Sequence, residues 1–83
     1  VGINNPGYEM AAKLFPNPAR DYFRIRGLEG RATVSVTDLS GKLLIQRDVS
    51  SNENIAVDEL SQGMYIVKVA GTRGIAEMKL LKE

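Results

Sequence analysis

Arg31-Ala32-Thr33-Val34-Ser35-Val36-Thr37-Asp38 sets Ala, Val and Val on one series of alternate positions and Thr, Ser and Thr on the other. A strict period of two carried by β-branched residues fits a pleated strand with one face buried and one in water. A helix would mix the two series on every face, because its side chains repeat every 3.6 residues. The stretch runs directly into Leu39-Ser40-Gly41-Lys42. Asp at the first turn position and Gly at the fourth suit a type I turn closed by a left-handed residue. In that turn Asp38 hydrogen-bonds its own backbone and Gly41 supplies the positive φ.

The same grammar repeats on both sides. Upstream, Gly27-Leu28-Glu29-Gly30 separates this strand from Asp21 to Arg26, where Phe23 and Ile25 alternate with Arg24 and Arg26. Before that comes Lys13-Leu14-Phe15-Pro16-Asn17-Pro18. Each proline pushes its predecessor toward extended geometry and donates no hydrogen bond, so this segment is expected as an edge strand or a strand opening. Downstream, Lys42 to Val49 is apolar, but Leu43, Leu44 and Ile45 in a row leave its faces unassigned. A short run, Asn54 to Val57, precedes Leu60-Ser61-Gln62-Gly63, which has the spacing of the Asp38 turn. Met64 to Val69 then puts Tyr65, Val67 and Val69 on one face, with Met64, Ile66 and Lys68 on the other. After Gly71-Thr72-Arg73-Gly74, the run Ile75 to Leu81 sets Ala76, Met78 and Leu80 against Ile75, Glu77, Lys79 and Leu81. Lys79, Lys82 and Leu81 are expected to project away from the core.

No stretch carries a helical stripe. About seven short strands with regular turn signals predict an all-β, immunoglobulin-like antiparallel β-sandwich, with a small closed barrel as the rival. Residues 1–12, rich in Asn, Gly and Pro and without periodicity, read as a flexible linker ahead of one domain over residues 13–83. A chain of 83 residues makes one thin-cored domain. Because it starts at Val1, it reads as the carboxyl-terminal piece of something larger.

Eleven basic and ten acidic side chains give a formal charge of +1, so no long-range field gathers nucleic acid or anionic lipid. There is no cysteine and no histidine, which removes thiolate chemistry, the commonest general base and the commonest transition-metal ligand. No cofactor and no metal is expected. Glu53, Asp58 and Glu59 with Asn52 and Asn54 offer oxygens to calcium, but they lack the spacing of a calcium loop. Lys13, Arg20, Arg24, Arg26 and Arg31 against Asp21 and Glu29 leave a local +3 beside Tyr22 and Phe23. A solvated strand face explains these charges better than a nucleic-acid surface, since Phe23 alternates inward. Hydroxyls abound without an activating base, so catalysis is not expected.

Four segments, in order, also carry a family resemblance: Leu14-Phe15-Pro16-Asn17-Pro18, Thr33 to Lys42, Gly63-Met64-Tyr65-Ile66-Val67-Lys68-Val69, and Glu77 to Lys82. Together they resemble the C-terminal sorting domain, type A, of type IX secretion cargo in Bacteroidetes, over roughly Lys13 to Glu83. The second segment departs from the family pattern, having Thr37 where an aromatic usually precedes the Asp. The resemblance implies a secretion signal that takes a cargo, lying N-terminal to it, through the outer-membrane type IX translocon. It implies passage through the periplasm, arrival at the cell surface or release, and removal by a surface sortase that cuts within residues 1–12. It also places the signal on the closing strand, making Lys79, Leu80, Leu81 and Lys82 the recognition candidates. Pro16, Asn17, Pro18, Asp38, Gly41, Gly63 and Tyr65 are then motif residues that determine the fold. An exposed strand edge would allow pairing with another copy of the chain. The competing reading is an adhesion or carbohydrate-binding module of a surface protein.

Overall fold

The computed structural model describes residues 12–28, 30–50, 52–72 and 74–83. The linker expected over residues 1–12 therefore lies almost wholly outside them. Seven strands follow one another: β1 (Lys13–Phe15), β2 (Tyr22–Arg26), β3 (Ala32–Thr37), β4 (Leu43–Val49), β5 (Ile55–Ala56), β6 (Gly63–Gly71) and β7 (Gly74–Lys82). They form two antiparallel sheets, ordered β1-β2-β5 and β4-β3-β6-β7. Two separate sheets make a sandwich rather than a closed barrel, as the turn spacing predicts.

The alternation in β3 decides how the layers meet. Ala32, Val34 and Val36 are buried, and Thr33, Ser35 and Thr37 face outward. β3 lies between β4 and β6, so its inner row meets Val67 and Val69 of β6 and Val49 of β4 at the same level. Phe23 and Ile25 of β2, with Ile55, Val57 and Leu28, close the core from the other sheet. The side chains of Phe23, Ile25, Ile55, Leu80 and six valine-sized neighbours lose essentially all contact with water. Each such burial contributes roughly 1.5–3 kcal/mol, which a domain of this size needs to offset its ordering entropy.

Register explains why the faces of β4 resist reading from sequence. Val36 pairs with Ile45 and Thr37 with Leu43, so Leu44 is one residue too many on its strand. This β-bulge breaks the alternation within Leu43-Leu44-Ile45.

The turn after β3 forms as expected. Gly41 has φ +95°, and its N–H donates to the Asp38 carbonyl at 3.0 Å. Asp38 Oδ1 accepts from the Ser40 amide at 2.9 Å, the Ser40 hydroxyl at 2.6 Å and the Lys42 amide at 3.0 Å. The Ser40 hydroxyl, followed by the Lys42 amide, holds the Asp38 carboxyl below its ordinary value. Gly63 departs from the expected repeat of that turn. It opens β6 at φ +150°, well beyond the left-handed helical region. The corner there is built by a side chain instead, the Tyr65 hydroxyl donating to the Ser61 carbonyl at 2.6 Å.

Candidate recognition surface

β7 is an edge strand of the larger sheet, so its outer half is available to close or to offer. The Pro16-Asn17-Pro18 segment closes its last part, from Lys79 onward. Neither proline has an N–H to give, and Asn17 compensates with its side chain, which presents a carbonyl and an amide as a peptide unit does. Asn17 Nδ2 donates to the Lys79 carbonyl at 3.0 Å, and the Leu81 N–H donates to Asn17 Oδ1 at 3.0 Å. The backbone takes over two residues on. The Ala19 N–H donates to the Leu81 carbonyl and the Glu83 N–H to the Ala19 carbonyl, both at 2.8 Å. Ala19 and Lys82 form a parallel bridge. The first motif of the chain is thus hydrogen-bonded along the last.

Of the four residues expected to carry recognition, the structure exposes two. Lys79 projects from the outer face of the four-stranded sheet, and Leu81 beside it is 38% exposed. Leu80 is fully buried in the core, and Lys82, expected to project outward, is only 8% exposed. The correction follows from strand geometry. Ala76, Met78 and Leu80 point inward, so a period of two carries Lys82 inward as well. Its aliphatic stem buries, and its Nζ reaches back to donate to the Glu83 carbonyl at 3.1 Å.

Cross-strand neighbours extend the exposed pair into a surface. Met64 lies opposite Leu81 and Ile66 opposite Lys79, with Thr37 beside Ile66 and Leu43 beyond it. Met64 and Leu43 are 40% and 51% exposed. The result is an apolar strip with Lys79 set into it. Sequence reasoning placed Met64 and Ile66 on the face opposite Tyr65, Val67 and Val69 without joining them to Leu81, because the pairing register was not readable.

The remaining motif residues sit in turns and at the strand opening. Asp38, Gly41 and Tyr65 hold turns, and Pro16 and Pro18 frame Asn17. Of the acids in the Asn52 to Glu59 stretch, Glu53 has other partners: its carboxylate accepts from the Ser50 amide at 3.0 Å and meets Arg47 at 3.5 Å. Phe23 is buried, which removes it from any stacking surface.

A search of curated proteins returned no match. Among solved structures, the chain is similar to PorZ, an essential bacterial surface component of the type-IX secretion system of Porphyromonas gingivalis, with a TM-score of 0.69 and 22% identity. The likeness covers 88% of this chain and 11% of that one, so it establishes the sandwich fold, and this chain spans a small fraction of the larger protein. The family described as the secretion system C-terminal sorting domain matches residues 13–83, the span over which the four motifs run from the Asn17 segment to the final strand. On that match, the chain belongs to the secretion system C-terminal sorting domain family.

Proposed function

We propose that the domain directs the protein that carries it through the outer-membrane type IX translocon, and that the translocon reads the outward row of β7 with its β6 neighbours. The observation that carries this reading is the edge position of β7. Its inner residues, Leu80 and Lys82, are committed to the fold, while Lys79 and Leu81 face solvent beside Met64. A strand fixed in a sheet holds its side chains in set directions, which is what a receptor requires. In this reading the cargo lies N-terminal to the domain and crosses the periplasm. A surface sortase then cuts within residues 1–12, and the domain itself catalyses nothing. Pairing of two copies through a free edge would use β4 or residues 74–78 of β7, since Asn17 and Ala19 occupy the β7 edge from Lys79 onward.

The carbohydrate-module reading is disfavoured by the aromatic rings. The Arg26 guanidinium lies 5.3 Å from the Phe15 ring centroid and that of Arg24 lies 5.5 Å from the Tyr22 centroid. On each ring a guanidinium therefore competes with a sugar for one face.

The test fuses residues 1–83 behind a periplasmic reporter in a bacterium that has this secretion system. The reporter should appear at the surface, and the pair Lys79→Ala and Leu81→Ala should reduce that appearance. Stability should stay within about 0.5 kcal/mol, as for most surface changes. Undiminished export of the double variant would show that this row is not what the translocon reads.

A further inference from the structure

We propose that the outer face of the three-stranded sheet is a second docking surface, one that takes a carboxylate-bearing protein partner, and that it is independent of the row read for export. The two outer faces of the sandwich differ in charge. On the four-stranded sheet, Lys68 lies directly opposite Glu77, and Lys79 and Asp48 complete a balanced set. On the three-stranded sheet, the outward residues of β1 and β2 are Lys13, Phe15, Tyr22, Arg24 and Arg26, and none of the residues in β1, β2 and β5 is acidic. Strand pairing sets Lys13 beside Arg26 and Phe15 beside Arg24. Three like charges are therefore gathered on one small sheet face, an arrangement that repels itself and is relieved by an anionic partner.

The side chains are also arranged for contact. Arg26 rests over Phe15 and Arg24 over Tyr22, so part of the ordering entropy of two long side chains is already spent in the free domain. Arg24 is half-buried and its guanidinium is under-used. Among the described residues, its one hydrogen bond is a 3.5 Å contact from Nη2 to the Tyr22 hydroxyl, and its Nε is buried without an acceptor, so the terminal Nη1 and Nη2 are the pair left to meet a partner. A carboxylate accepts from such a fork through two parallel N–H bonds. Arg, Tyr and Phe are also the side chains enriched at the centres of protein interfaces. A lipid surface fits less well, since the exposed aliphatics Leu43, Met64, Ile75 and Leu81 all belong to the other sheet. A nucleic acid fits less well too, because a base stacking on either ring competes with the guanidinium already over one of its faces.

The experiment titrates the 83-residue chain with a poly-glutamate peptide and follows amide and side-chain NMR shifts. Shifts should concentrate at Lys13, Phe15, Tyr22, Arg24 and Arg26, and should weaken as salt rises. Arg24→Gln with Arg26→Gln should weaken binding at least about tenfold, the scale of one lost charge-assisted hydrogen bond. If that pair fails to fold, Lys13→Gln with Arg26→Gln should show the same direction of change. Equal shifts around Lys68 and Lys79, or unaltered affinity in a folded variant, would overturn the proposal. So would tighter binding of phosphatidylglycerol vesicles, heparin or single-stranded DNA at equal charge. Export of the reporter is not the readout, so the outcome is separate from that of the sorting function.

Discussion

Replacing Asn17 with Ala should loosen the far edge of β7 without dissolving the core. The substitution removes two hydrogen bonds, to the Lys79 carbonyl and from the Leu81 amide, each 3.0 Å long. Both are exposed, so water replaces the lost partners and the net cost stays near the low end for such bonds. That is about 0.5–1 kcal/mol each, or about 1–2 kcal/mol together. For a domain of this length, such a loss lowers Tm by roughly 5–15 °C. Denaturant unfolding measures the stability change, and hydrogen exchange locates it. Exchange at the Leu81 amide should accelerate, while amides in the centre of β3 should change only as far as global stability does. Asn17→Asp supplies the internal control, since it retains an acceptor for the Leu81 N–H but sets a carboxylate against the Lys79 carbonyl. Wild-type melting together with unchanged Leu81 exchange in Asn17→Ala would refute the view that this side chain closes the sheet edge.

Leu80→Ala should cost about 2–5 kcal/mol, because the side chain is fully buried, and it should abolish export by unfolding the domain; a folded Leu80→Ala variant with normal Tm would contradict the packing. Gly41→Val should cost about 1–2 kcal/mol: an added Cβ meets nothing within 4 Å, so the penalty is that of the backbone at φ +95° alone. An unaltered denaturant midpoint would count against that turn. The lowered Asp38 pKa means that the native turn binds its proton less readily than the unfolded chain does. Its stabilisation is therefore present above the ordinary carboxylate pKa of about 3.9 and is lost as pH falls through the lower native value. An NMR titration of the Asp38 carboxyl, with the Ser40 and Lys42 amides following it, checks this, and a midpoint at or above the ordinary value would refute it.

What sequence reading recovers here follows the physics of strands. β3 is legible because one face is buried and the other wet, so period two is written into its residue types. β2, β6 and most of β7 are legible for the same reason, and the Asp38 turn because its chemistry is local. β4 is not, since the extra Leu44 arises from pairing with a strand elsewhere in the chain. Lys82 was misplaced by residue type: lysine suggests solvent, whereas counting two from Leu80 gives the inner face that the structure shows. The task of Asn17 is a side-chain contact spanning 62 and 64 residues, beyond any local pattern. Its one local hint is a polar residue held between two prolines that cannot donate. The strip joining Leu81 to Met64 depends on register, which the hairpin through Gly71 and Gly74 sets.

Because the Ala19 bridge to Lys82 is parallel, the opening segment and the final strand run side by side in the same direction. Tension between a cargo tethered before Lys13 and a grip on the chain's last residues would drag these two ribbons lengthwise past each other. The four hydrogen bonds of Asn17, Ala19 and Glu83 along β7 would then bear the load at once, in shear, rather than parting one after another as in a peeled hairpin. Under the proposed function, a pull from both ends of the domain would fall first on the place where those ends meet.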